Sequence, residues 1–154
     1  MGHKQPTVKK KEYLKMLIVD DNPPVEKGMP TMLAPFGETG IVNTGEEAVT
    51  AFCSALQAGD PYDLVCLNLI SESDGRETLK HIRRIEKEKG IHPLDGVKIM
   101  MTTATGISKS CDESFGSGCE GYLKRPISEE KLISLLKTLS FNDKTLKRKK
   151  FKEE

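Results

Sequence analysis

The chain has 154 residues, 36% of them hydrophobic and 31% charged, with a net charge of +1. That length suits one compact domain that buries a core without disulfides or a metal. No apolar run approaches the roughly 20 residues of a membrane helix, which excludes a helical membrane span, and no apolar stretch follows the N-terminal lysines as a signal peptide requires.

Charge is unevenly spread. Five lysines against Glu12 give +4 over residues 1–15, six basic side chains against three acids give +3 over 142–154, and residues 16–141 carry −6. We therefore expect a domain at 14–141 between basic, solvated tails at 1–13 and 142–154. Cys53, Cys66, Cys111 and Cys119 form no C-x-x-C, and His3, His81 and His92 add no zinc-ligand spacing. Cys53 and Cys66 lie in apolar segments and read as small buried hydrophobes of a reducing, cytoplasmic protein.

Leu14 to Val19 is an apolar run ending in Asp20-Asp21, the pattern of a buried strand. Asn22-Pro23-Pro24 offers a helix start, and the helix is expected to reach about Leu33, with Gly28 and Pro30 predicting a kink or early end. Glu38 to Val42 is a weak second strand. Thr44-Gly45-Glu46-Glu47 opens a helix whose apolar face is Ala48, Ala51, Phe52, Ala55 and Leu56. Gly59-Asp60-Pro61 ends it. Leu64 to Leu69 reads as a central strand buried on both faces, and Ser71 to Gly75 as a loop.

Leu79, Ile82 and Ile85 form the next helical stripe, with Arg83, Arg84, Lys87 and Lys89 expected to face water. Val97 to Met101 is another buried strand, followed by the small polar stretch from Thr102 to Gly106. A short helix is expected over 109–115, a last strand at Gly121-Tyr122-Leu123, and a final helix from Ser128 with Leu132, Leu135, Leu136 and Leu139 buried. Strands alternating with helices predict an α/β doubly wound parallel sheet, whose functional crevice lies at the carboxyl ends of the strands. Asp20, Asp21, Asn68, Thr103 and Arg125 each stand just past or at such an end.

Two adjacent acids raise one another's pKa unless a cation neutralises them, so Asp20-Asp21 reads as half of a magnesium-type oxygen site. The plain alternative is one acid capping the next helix and the other solvated.

The ordered segments Leu17-Ile18-Val19-Asp20-Asp21-Asn22-Pro23, Tyr62-Asp63-Leu64-Val65-Cys66-Leu67-Asn68, Asp74-Gly75, Met101-Thr102-Thr103-Ala104 and Gly121-Tyr122-Leu123-Lys124-Arg125-Pro126-Ile127 resemble the CheY-like receiver domain of two-component response regulators. The resemblance covers about residues 14–141. It implies a flavodoxin-like five-stranded parallel sheet of order 2-1-3-4-5 with five helices. It also implies an aspartate at the end of the third strand that accepts a phosphoryl group from a histidine kinase, with magnesium offsetting the charge. Carried over, the resemblance makes Asp20, Asp21 and the Ile70 backbone carbonyl the magnesium ligands, and Thr103, Tyr122 and Arg125 the phosphate-binding and switch residues.

Three departures stand out. The acceptor position holds Asn68, whose carboxamide is a poor nucleophile and supplies no anionic ligand, so any magnesium site is weakened. The position before Pro126 holds Arg125 where the family pattern has lysine. The loop from Asn68 to Asp74 is one residue short and lacks its customary proline. Together they imply a degenerate, non-enzymatic pseudo-receiver of a phosphorelay that acts by protein–protein interaction.

A histidine kinase or another signalling protein is the expected partner. A homodimer could form through the face of residues 109–115, 121–124 and 128–140. The rival expectation is a conventional receiver carrying an engineered Asp→Asn change, or one phosphorylated at Asp20, Asp21, Asp74, Ser71 or Ser73. A phosphohydrolase would need D-x-D after the first strand, and the basic run Lys147-Arg148-Lys149-Lys150 has no reader fold for nucleic acid.

Overall fold

A computed structural model of the chain describes residues 13–22, 28–104 and 118–139. Its strands are β1 (Leu14–Asp20), β2 (Gly37–Val42), β3 (Leu64–Asn68), β4 (Lys98–Thr103) and β5 (Gly121–Lys124). The α-helices among the described residues are α1 (Met29–Leu33), α2 (Gly45–Gln57), α3 (Glu72–Glu88) and α4 (Glu129–Thr138). Short 3-10 turns lie at Ala34–Phe36 and Pro93–Asp95. Residues 1–12 of the N-terminal tail, the C-terminal tail, the Pro23-Pro24 helix start, the helix expected over 109–115 and Cys111 fall outside the described residues.

All strand pairs are parallel and the order is β2-β1-β3-β4-β5, the order the resemblance implied. Side-chain alternation divides the core between the two faces. Met16, Ile18, Cys66, Met100 and Leu123 pack with α1 and α4, through Met32, Leu33, Leu132 and Leu136. Leu17, Val19, Leu67, Ile99 and Met101 pack with α2 and α3, through Phe52, Leu79 and Ile82. Each such fully buried side chain contributes about 1.5–3 kcal/mol relative to exposure, so covering both faces is what makes the central strands apolar throughout.

Three helices start on hydroxyl caps. Thr44, Ser71 and Ser128 accept the backbone N–H of Glu47, Asp74 and Lys131, with acids in each first turn to suit the helix dipole. The Ser71 cap corrects the sequence reading: residues 72–75 are helix, not loop, because capping by Ser71 outweighs Gly75 in the first turn. At Gly75 the helix start packs close to β4, where a Cβ would lie 2.9 Å from Met101 Cε, the end of a flexible side chain. Residues 23–27, just before Gly28, lie outside the described ones, so the expected kink is read only from Gly28 onward. Gly28 is extended (φ −131°, ψ −167°), and the described α1 begins after it with Pro30 in its first turn, where a missing N–H costs nothing.

Two expectations on exposure also change. Cys53 is half-buried, because it sits on the margin of the α2 face. Arg83 does not face water. Its Nη1 pairs with buried Glu86 at 2.7 Å, and its Nη2 donates to the Gly118 carbonyl at 2.7 Å and to Glu120 at 3.0 Å. Glu86 in turn accepts the Val97 N–H and Glu120 the Ile99 N–H, both at 2.7 Å. This cluster ties α3 to the amino ends of β4 and β5, opposite the end where the candidate site lies.

Candidate functional site

The register sets Asp20 directly beside Asn68. One rung beyond the last registered β3–β4 pair, Leu67–Met101, Asn68 meets Thr102. Alternation puts Asp20, Asn68 and Thr102 on the α1/α4 face, and the contacts bear this out. Asn68 Nδ2 donates to Asp20 Oδ2 at 3.1 Å, and Asn68 Oδ1 accepts the Thr102 hydroxyl at 2.8 Å. Arg125 Nη1 donates to Thr102 Oγ1 and, at 3.2 Å, to the Leu69 carbonyl. A continuous chain of hydrogen bonds therefore runs from β1 through β3 and β4 to the segment after β5.

Asp20 is 4% exposed, and among the described residues its carboxylate is met by N–H donors. Oδ1 accepts the Asn22 N–H at 3.0 Å, and Oδ2 takes the Asn68 amide. Asn43 Nδ2 donates to the Asp20 carbonyl at 3.1 Å and pins the strand end to the loop before α2. Asp21 is exposed and turned to the Ile70 N–H, at 3.2 and 3.4 Å from its two oxygens.

Thr103 and Tyr122 belong to the other face. Thr103 is buried and donates its hydroxyl to Glu72 Oε2 at 2.6 Å. Tyr122 is half-buried and packs against the α2/α3 core. A groove of about 790 Å3 opens beside Asp21 between the starts of α2 and α3, lined by acids and by His81 and Arg84. Cys66 lies one turn of the β-pleat below Asn68, but burial pushes its thiol up to about 12, so it supplies no nucleophile.

The sequence-expected residues thus separate into two groups. Asp20, Asn68 and Arg125 are brought into one network, Asp21 and Ile70 into a second contact, and Thr103 and Tyr122 onto the opposite face. Thr102, Glu72 and Asn43 were missed. The period-2 alternation that links Asp20 to Asn68 was signal enough for Thr102; Glu72 was hidden by reading 71–75 as loop.

A magnesium ion needs converging oxygen ligands. Here the Asp20 and Asp21 carboxylates are engaged by N–H groups, and Asn68 turns its NH2 toward Asp20. Among the described residues no group of three or more His, Cys, Asp or Glu side chains gathers to hold a metal. As arranged, these donors do not fit a hard cation.

A doubly wound sheet of this order, with adjacent acids at the end of β1, is the arrangement of the receiver class of α/β domains, from which the amide at the end of β3 departs. The model of the response regulator receiver domain matches residues 16–137, and the chain belongs to that family. Among curated proteins, it is 34% identical over 83 residues to a probable transcriptional regulator, ycf29, of Porphyra purpurea, covering 53% of this chain and 37% of that one. It is 31% identical over 124 residues to the sensor histidine kinase GacS of Pseudomonas protegens, covering 79% of this chain and 13% of the kinase. The chain therefore spans well under half the length of these relatives.

Among solved structures, the chemotaxis response regulator CheY4 of Vibrio cholerae aligns with a TM-score of 0.62 at 22% identity, over 82% of this chain and 98% of CheY4. The receiver domain of a Pseudomonas aeruginosa sensor histidine kinase, solved with magnesium in its active-site cleft, aligns with a TM-score of 0.60 at 21% identity, over 82% and 96%. Both share the fold. Among the described residues no helix is long and apolar enough to cross a membrane.

Proposed function

We propose that this receiver domain is a pseudo-receiver: it takes part in two-component signalling by binding a protein partner and does not accept a phosphoryl group at position 68. The observation that carries this reading is the state of the Asn68 side chain. Its nitrogen is spent on Asp20 and its oxygen on Thr102, so neither a carboxylate nucleophile nor a free anionic ligand stands at the carboxyl end of β3. Magnesium affinity is low for the same reason. No turnover is required of such a site, and the domain is not an enzyme.

The partner is a histidine kinase or another signalling protein, in keeping with the kinases among its relatives. Residues 121–124 of β5 and α4 belong to the face offered, either to that partner or to a second copy. The domain occupies residues 14–141 between basic tails, and its free thiols suit a reducing cytoplasm.

Incubation with acetyl phosphate and magnesium, followed by intact mass, is expected to leave the mass unchanged. A phosphoryl adduct overturns the proposal, and peptide mapping to Asp20, Asp21, Asp74, Ser71 or Ser73 would select the rival in which another residue accepts the group. Affinity for a candidate kinase is expected to be the same with and without beryllofluoride.

A further inference from the structure

We infer that the segment just before β1, residues 6–11, folds back into a pocket at the amino ends of the strands, with Val8 inside and Lys9, Lys10 and Lys11 at its acidic rim. The inference makes no use of Asn68 and is independent of the pseudo-receiver reading. The pocket, of about 520 Å3, lies between the last turns of α2 and α3 and the approaches to β3 and β4. Phe52, Leu56 and Ile91 give it an apolar wall, while half-buried Asp63 and Lys98 and exposed Asp95 supply a charged rim. Glu86 also lines it, but its carboxylate is spent on Arg83 and the Val97 N–H. With His92 neutral, the rim carries a net negative charge beside an apolar interior, which suits a short cationic segment bearing an aliphatic side chain.

The chain enters β1 beside this pocket. The Asp63 N–H donates to the Lys15 carbonyl and the Lys15 N–H to Asp63 Oδ2, both at 2.8 Å, and Lys15 Nζ lies 4.9 Å from the centre of the Tyr62 ring, another lining group. The Lys98 N–H donates to the Asp63 carbonyl at 3.1 Å, so β1, β3 and β4 start side by side. The wall at β4 is therefore two strand spacings from β1, about 10 Å. Val8 precedes Tyr13 by five residues, a reach of about 17 Å when extended, and the three lysines lie nearer. A tethered segment of this kind binds at high effective concentration. The other basic run, Lys147 to Lys150, leaves from α4 on the opposite face of the sheet, so reach selects the N-terminal segment. The wider field acts in the same sense, with +4 over residues 1–15 against −6 over 16–141.

The test treats the full chain with a water-soluble carbodiimide and maps the products by peptide mass. The carbodiimide activates a carboxylate, a lysine Nζ attacks the carboxyl carbon, the reagent leaves as its urea, and an amide forms with net loss of water. Amides joining Lys9, Lys10 or Lys11 to Asp63 or Asp95 of the same chain are expected, and their loss at high salt. Val8→Asp is expected to lower their yield about tenfold, the factor that burial of a valine side chain contributes. The backbone amide resonances of Ile91 and Lys98 are expected to shift between the parent and V8D, while those of Asn68 and Thr102, at the other end of the strands, stay in place.

Cross-linking that V8D leaves unchanged overturns the inference, because nearness along the chain would then account for it. Unmoved Ile91 and Lys98 resonances overturn it as well. Mixed cross-links from an equal mixture of isotope-labelled and unlabelled chains would place a second copy's segment in the pocket and overturn the intrachain docking.

Discussion

Substituting Asn68→Asp replaces one of the two neutral donors that meet the buried Asp20 carboxylate among the described residues. Asn68 Nδ2 now lies 3.1 Å from Asp20 Oδ2, and a carboxylate there sets two like charges about 4 Å apart. At an effective dielectric near 20 that repulsion is about 4 kcal/mol. The lost hydrogen bond to a charged acceptor adds about 1.5–3 kcal/mol, and side-chain relaxation with water entry returns part of the sum. A net loss of about 2–4 kcal/mol at neutral pH is expected.

For a domain of this size that lowers Tm by about 2–4 °C per kcal/mol. The sign with pH follows from linkage. Repulsion raises the folded pKa of the introduced carboxyl above its unfolded value, so the folded state binds the extra proton and the variant loses stability as pH rises through that window. The deficit is present at pH 7 and disappears below about pH 4, where the carboxyl is protonated in both states. Magnesium at millimolar concentration is expected to restore most of the loss, since the introduced carboxylate supplies the missing anionic ligand. Differential scanning calorimetry of both proteins in EDTA and in magnesium measures all of this. An N68D protein that melts within about 1 °C of its parent in EDTA at pH 7 would refute the reasoning.

The same network sets a second expectation: Thr102→Val keeps the shape of the side chain but strands the Asn68 carbonyl and an Arg125 N–H. It is expected to cost about 1–3 kcal/mol in urea unfolding; no change would mean that water satisfies both groups. Arg83→Ala leaves Glu86 buried without its ion pair, and a loss of about 3–5 kcal/mol is expected by the same measurement. Burial pushes the Cys66 and Cys119 thiols up to about 12. Both should therefore resist iodoacetamide at pH 8 in the native protein and react after unfolding, as read by peptide mass mapping; native labelling of either would contradict its burial.

The sheet was legible because its strands carry the apolar runs that burial on two faces demands. Leu64–Asn68 and Lys98–Thr103 follow the predicted segments within a residue or two. The helix starts were legible wherever a hydroxyl cap precedes acids, as at Thr44 and Ser128. At Ser71 the same signal was present but outweighed by Gly75, a residue that weakens a helix by about 1 kcal/mol and reads as a breaker. Its setting is tertiary: α3 packs close to the Met101 side chain at Gly75, and no local pattern shows that approach. Arg83 failed for a related cause. Its position on the helix face says polar, while its partners Gly118 and Glu120 lie more than thirty residues away.

The site was legible in its members and not in its connections. Asp20, Asn68 and Arg125 were named from their positions after strands, and the register joins them. Thr103 was expected to share that network. Alternation along β4 decides otherwise, because Thr102 and Thr103 cannot both face Asn68, and the residue in rung with it is Thr102. That assignment changes how Asn68 is understood. A lone Asp→Asn change at a metal-dependent site would leave Asp20 facing an empty coordination shell. Here Thr102, a polar residue on an otherwise apolar face, accepts Arg125 and donates to Asn68, so the amide is held from both sides. The neighbouring residues fit the amide, and this fit is what the proposed pseudo-receiver reading rests on.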